Sequence, residues 1–166
     1  MGIIYTVSLA TADARAWLLE QGIECSDRAS RWPTGNELKY AVECFRGIQV
    51  QYNDNGVGYC WQALLSNGEA GTEEVWAALN VEKHQGYDQT NDFWFDKGTT
   101  ELNVAIALVL SAKTGPLVLL ADCGGPPLVV DYPNTTQQTL DEWVDVSKPL
   151  WIQLYRDVQR SCGFAA

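Results

Sequence analysis

The candidates for nucleophilic or general-base chemistry are one histidine and five cysteines. His84 alone excludes a zinc site built on two or three imidazoles. It could act as a base toward a cysteine, since a Cys-His pair is assembled in space and has no fixed spacing in the sequence. However, residues 81–86 have the pattern of a polar helix end, where the helix dipole favours a histidine. We therefore predict no catalytic residue and keep a Cys-His enzyme as an alternative.

Three aspartates, Asp88, Asp92 and Asp96, are spaced by four residues. On a helix they would share one face and suit a divalent cation. Their segment lacks a helical pattern, whereas in a strand Asp92, Trp94 and Asp96 would share a face. The spacing therefore predicts a mixed acidic and aromatic surface and no metal site. A small enzyme with a carboxylate site is a further alternative.

Motifs for nucleotide, calcium and hydrolase sites are incomplete or missing. Gly56-Val57-Gly58 lacks the third glycine and the following helix of a dinucleotide fingerprint, and neither GxxxxGK[ST] nor GxSxG occurs. Residues 53–56 (Asn-Asp-Asn-Gly) lack the later oxygen ligands of a calcium loop and are typical of a turn. We predict no cofactor.

The cysteines are widely spaced and odd in number, so the sequence contains no CxxC pair. Together with the lack of a secretory leader, this pattern favours free thiols in a cytoplasmic protein. We expect all five to be reduced and at least three to be buried. They are Cys25, Cys44, Cys60, Cys123 and Cys162.

Acidic residues outnumber basic ones by 21 to 11, and the imbalance lies in residues 47–147, which carry 14 acids and three lysines. A surface of this sign repels nucleic acid and accelerates association with a basic partner. No apolar run is long enough for a membrane helix. We predict a basic protein partner and no nucleic-acid or membrane binding. The residues predicted to bind that partner are Glu73, Glu74, Asp88, Asp92, Trp94 and Asp96. The alternative is that Trp94 belongs to the core and that the acids are ordinary solvated surface.

The first half of the chain has a strand pattern over residues 3–9 and a helix pattern over 12–21, with Thr11 as its N-cap and Gly22 at its end. Three strands are then predicted at 38–45, 48–52 and 57–65, joined as a meander. Thr72 is predicted to cap a short helix whose buried face is Val75, Trp76 and Leu79.

The second half begins with a strand at 92–96. A helix starting at Thr99 or Thr100 continues through the apolar run 102–110, which predicts a central position. A strand is the alternative over so short a run. Residues 117–121 and 128–131 predict a hairpin, and residues 135–144 a short helix. Ser147 is predicted to cap a terminal helix that docks on the sheet. Its apolar stripe consists of Leu150, Trp151, Leu154, Tyr155 and Val158.

These elements predict a single α+β domain over residues 1–166. We expect an antiparallel or mixed sheet of about six to seven strands, covered by helices and including an amphipathic C-terminal helix.

Residues 92–130, DFWFDKGTTELNVAIALVLSAKTGPLVLLADCGGPPLVV, resemble the Sit-type immunity family of bacterial polymorphic toxin systems. The shared pattern is an aromatic and acidic segment, an apolar helix, a glycine break and a strand hairpin. The Gly-Gly-Pro-Pro loop and the long terminal helix lie outside that pattern. The resemblance implies a cytoplasmic, non-enzymatic protein that neutralises a cognate toxin by binding it, and it transfers no functional residue.

The sequence thus predicts a non-enzymatic protein-binding module, with an immunity protein as the specific form that the resemblance implies. The alternatives are the small enzyme described above and a structural or adaptor subunit. The oligomeric state is left open.

Overall fold

A computed structural model describes residues 4–54, 61–66, 75–81 and 92–163, which form one seven-stranded sheet and five helices. The α+β class is as predicted, and the number of strands lies within the predicted six to seven. The strands are β1 (Ile4–Leu9), β2 (Gln49–Asp54), β3 (Trp61–Ser66), β4 (Val75–Val81), β5 (Phe93–Gly98), β6 (Leu117–Ala121) and β7 (Leu128–Val130). The helices are α1 (Ala12–Glu20), α2 (Gly35–Glu43), α3 (Thr100–Thr114), α4 (Gln137–Leu140) and α5 (Pro149–Ser161).

The sheet has the strand order β2-β3-β4-β5-β1-β6-β7, and every neighbouring pair is antiparallel. Strands β2 to β5 form a meander, and β6 and β7 form the predicted hairpin. The first strand of the chain lies between β5 and β6. These two strands therefore run parallel to each other, and α3 is the crossover that connects them.

Helix α3 lies at the centre of the fold, as its apolar sequence predicts. Every residue from Leu102 to Ser111 is buried, including the polar Asn103. The helix packs against β4, β5, β6 and β7 on one face of the sheet and against α2 and α5 on its other sides. A helix enclosed in this way requires apolar residues around its full circumference.

Helix α2 replaces the strand predicted at residues 38–45, and that prediction is wrong. Thr34 and Glu37 form a capping box, in which Thr34 Oγ1 accepts from Glu37 N at 3.1 Å and Glu37 Oε1 accepts from Thr34 N at 2.9 Å. The buried residues have helical spacing and face α3. They are Leu38, Ala41 and Val42, and the buried Phe45 follows the end of the helix.

Strand β4 replaces the helix predicted after Thr72. Residues 75–81 pair with β3 on one side and β5 on the other, so tertiary pairing determines the conformation of this short run. Leu79 of the predicted buried face is buried and Trp76 is half-buried. Thr72 lies outside the described residues.

The terminal helix α5 buries Trp151, Leu154 and Val158, while Leu150 and Tyr155 are half-buried. It packs on α3, which separates it from the sheet, so the prediction that it docks on the sheet itself is wrong. The predicted cap is also wrong, because the N-cap residue is Lys148 and the Ser147 hydroxyl donates to Asp145 Oδ1 at 2.6 Å.

Helix α1 has the predicted Thr11 cap, in which Thr11 Oγ1 accepts from Ala14 N at 3.1 Å. Its Leu18 packs with Val118 and Val129, whose side chains lie on the face of the sheet opposite α3. This helix therefore covers the β6-β7 end of that second face. Among the described helices, none has the length and apolar character required to cross a membrane.

Candidate functional site

Strand β5 presents aromatic side chains to both faces of the sheet. Phe93 and Phe95 are buried in the core beneath the helices. Trp94 alternates with them, is half-buried and lies outside the core cluster. Asp96 shares the face of Trp94, as the strand pattern predicts. This alternation places an aromatic ring and a carboxylate together on the face that the α3 layer does not cover.

The register of the sheet identifies the neighbours of Trp94 on this face. Trp94 pairs with Asn80 of β4 and with Thr6 of β1, and Asn80 pairs in turn with Gln62 of β3. Among the described elements, none packs on this part of the second face, because α1 covers only its β6-β7 end. We call the following residues the open face: Ile4, Thr6, Gln62, Leu64, Asn80, Trp94 and Asp96.

An amide pair lies beside Trp94 on the open face. Gln62 Nε2 donates to Asn80 Oδ1 at 2.8 Å, which links β3 to β4 through their side chains. Asn80 is only 9% exposed, and its buried Nδ2 atom makes no hydrogen bond within the described part of the chain. The pair gives this surface a fixed polar element next to a large aromatic side chain.

The corner of the open face at the start of β1 is acidic with an apolar centre. Ile4 is 38% exposed and pairs with Asp96 of β5. On its other side, Asp122 N donates to Ile4 O at 3.0 Å, which brings this exposed acid next to the same corner. Asp92 is exposed immediately before β5. The seven residues of the open face include the acid Asp96 and no basic residue, and the exposed Asp92 and Asp122 lie beside them.

Three of the six predicted binding residues, Asp92, Trp94 and Asp96, therefore lie together at β5. The other three, Glu73, Glu74 and Asp88, lie outside the described residues, as does His84.

The site also contains three residues that the sequence did not predict, namely Asn80, Gln62 and Asp122. Asn80 interrupts the apolar run at residues 77–81, and a lone polar residue in such a run is a signal that could have identified it. Gln62 and Asp122 lie far from β5 in the sequence. Strand pairing brings Gln62 to Asn80 and Trp94, and it brings Asp122 to Ile4.

Three of the four described thiols have weak nucleophilic character. Burial raises the pKa of Cys25 and of Cys44, and it raises the pKa of Cys162 to about 11 with a further contribution from Cys44. These three thiols are therefore protonated near neutral pH, whereas the thiolate is the reactive form. The four described cysteines are free.

The prediction that at least three cysteines are buried is wrong. Cys25, Cys44 and Cys162 are half-buried, Cys123 is exposed and Cys60 lies outside the described residues. Each of the three half-buried thiols lies next to a loop or at a helix end, where solvent still reaches part of the residue.

Histidine, cysteine and carboxylate side chains in the described part of the chain form no cluster of three or more that could hold a metal ion. No protein family, curated protein or solved structure matches this chain. The open face is thus the arrangement of described residues that combines the predicted site residues with an accessible surface.

Proposed function

We propose that this protein is a non-enzymatic binding module whose open face binds a basic protein partner. The observation that carries the proposal is the position of Trp94, which is half-buried outside the core on a face without a described covering element. Large aromatic side chains in partly desolvated positions dominate the energetics of many interfaces. Trp94 is the expected anchor.

Charge supports the choice of a basic partner. Asp96 pairs with Ile4, Asp122 is bonded to Ile4 through its backbone, and Asp92 precedes Trp94 of β5. Charged groups at the edge of an interface mainly accelerate association and select against partners of the same sign. A partner that presents lysine or arginine around an apolar patch is complementary to this arrangement.

The resemblance of residues 92–130 to Sit-type immunity proteins suggests a toxin as the class of partner. Those residues include β5, α3 and the β6-β7 hairpin, so they contain Trp94 and its three neighbouring acids. We propose a cognate toxin as the partner and the cytoplasm as the compartment. A toxin gene immediately upstream would support this assignment.

Capture from the source cell with matched baits tests the proposal. The first bait is the wild-type protein and the second carries Asp92→Lys and Asp96→Lys. The third carries Glu20→Lys and Glu24→Lys, which make the same change in net charge at exposed positions near α1. We expect a basic protein that the wild type and the α1 variant retain and the β5 variant loses. Equal retention by all three baits, or equal loss from both variants, would contradict binding at the open face.

A further inference from the structure

A groove lies on the far side of the core from the open face, where α2, α3 and α5 meet the turn that follows β7. It consists of two cavities of about 370 and 400 Å³ that share four lining residues. These are Tyr40, Val109, Lys113 and Ser161. Each cavity is in the size range that accommodates a small molecule.

The two cavities are similar in volume and differ in the residues that line them. The 370 Å³ cavity has two cationic lining residues, Arg28 and Lys113, and no acidic one. Its apolar lining includes Val109, Ala112 and Pro133. A cationic cavity is unexpected in a protein with a net charge of −10.

A buried carboxylate fixes the Arg28 side chain. Arg28 Nη1 donates to Asp131 Oδ1 at 2.5 Å and to Tyr132 O at 3.3 Å. Asp131 is buried, also accepts from Ser26 Oγ at 2.6 Å and from Asn134 Nδ2 at 3.1 Å, and lines a different cavity. The guanidinium therefore lines the 370 Å³ cavity in a fixed position, while its partner carboxylate is not part of that lining.

Lys113 has no such counter-charge. Within the described residues, its ammonium group forms no ion pair or hydrogen bond, and the residue is exposed in the last turn of α3. The positive charge of Lys113 opposes the rise in the pKa of the Cys162 thiol, which lines the same groove. An ammonium group that no acid neutralises is available to an anion.

The C-terminal carbonyl groups of α3 would repel an anion if they were unpaired. Instead, Arg28 and Arg31 of the 28–31 loop donate hydrogen bonds to these carbonyl oxygens. Arg28 Nη2 donates to Ala112 O at 3.5 Å, Arg31 Nη2 to Lys113 O at 3.3 Å, and Arg31 N to Thr114 O at 2.9 Å. The negative end of the helix dipole is thus largely compensated at the groove.

We propose that the groove binds a small organic anion, with its carboxylate or phosphate between Arg28 and Lys113 and its apolar part against Val109, Ala112 and Pro133. This site is separate from the open face and does not depend on the proposed protein partner. Hydrogen bonds to charged donors and burial of the apolar part both stabilise such a complex.

Calorimetric titration and amide NMR with four probes test the site. Benzoate and phenyl phosphate carry the two candidate anionic groups, while benzyl alcohol and benzylammonium are neutral and cationic analogues of similar size. We expect saturable binding of at least one anion, with shifts at Lys113 and Cys162 and none at Trp94, and no saturable binding of the two analogues. The anion that binds more tightly identifies the preferred group.

Lys113→Gln should weaken binding of that anion at least tenfold, because it removes the unneutralised cation. Lys148→Gln is the matched control, since Lys148 is an exposed lysine that pairs with Glu101 away from the groove. Arg28 is unsuitable for substitution because its loss would leave Asp131 buried and unpaired. Failure of both anions to bind, equal binding of the neutral analogue, or equal weakening by the two lysine variants would overturn the proposal.

Discussion

The two faces of the sheet differ most clearly at β5, where adjacent residues have opposite surroundings. Phe93 and Phe95 belong to the core under α3, whereas Trp94 and Asp96 lie on the open face. On the covered face, side chains are selected by packing and tolerate few changes. On the open face the same strand carries a ring and a carboxylate outside the core cluster, next to the Gln62-Asn80 amide pair of β3 and β4. Side chains outside the core are the candidates for binding.

The largest expected effect comes from comparing Phe95→Ala with Trp94→Ala. Phe95 is fully buried, so its truncation should lower the free energy of unfolding by about 3–5 kcal/mol. Trp94 is half-buried outside the core, so we expect a loss of about 1–2 kcal/mol despite its larger side chain. Chemical denaturation of both variants gives the two values. Equal losses would show that Trp94 is part of the core and would remove the distinction between the faces.

The covered face also depends on α5, which packs on α3 from outside. Leu154→Ala should lower the free energy of unfolding by about 2–5 kcal/mol, because Leu154 is buried between these helices. Ile152→Ala on the same helix is the control, since Ile152 is 41% exposed and should cost less than about 1 kcal/mol. If thermal or chemical denaturation finds no loss for Leu154→Ala, α5 contributes little to the covered side.

The smallest effect concerns the cap of α2, the helix beside β2 and α3. Thr34→Ala removes the hydroxyl that accepts from Glu37 N and should cost about 1 kcal/mol. Thr99 is the N-cap of α3 but makes no side-chain capping hydrogen bond, so Thr99→Ala should cost less. Denaturation midpoints of the two variants provide the comparison. A greater cost for Thr99→Ala would contradict the role given to the capping box.

Sequence reasoning succeeded where one signal dominated. The apolar run at 102–110 forms the central helix and not the alternative strand, and the alternation at 92–96 forms β5. It failed where local signals conflicted with each other or with tertiary pairing. Residues 38–45 contain β-forming residues, but the Thr34-Glu37 capping box and the spacing of Leu38 and Val42 produce a helix.

The candidate site was predictable only along a single strand. Asp92, Trp94 and Asp96 are neighbours in the sequence, so a two-residue period is enough to place them together. Asn80 and Asp122 reach the same surface through the order and register of strands from distant parts of the chain. The groove shows the same limit, since its Arg28 and Lys113 are 85 positions apart in the sequence.

Binding kinetics with the captured partner test the central claim most directly. Association and dissociation rates are measured at low and high salt for the wild type, for the Asp92→Lys and Asp96→Lys double variant, and for Trp94→Ala. We predict that the double variant and high salt each slow association on the order of tenfold, while Trp94→Ala mainly accelerates dissociation. The α1 variant with Glu20→Lys and Glu24→Lys should retain wild-type dissociation. Association that is indifferent to salt and to the two aspartates, together with unchanged dissociation for a folded Trp94→Ala variant, would contradict binding through the open face.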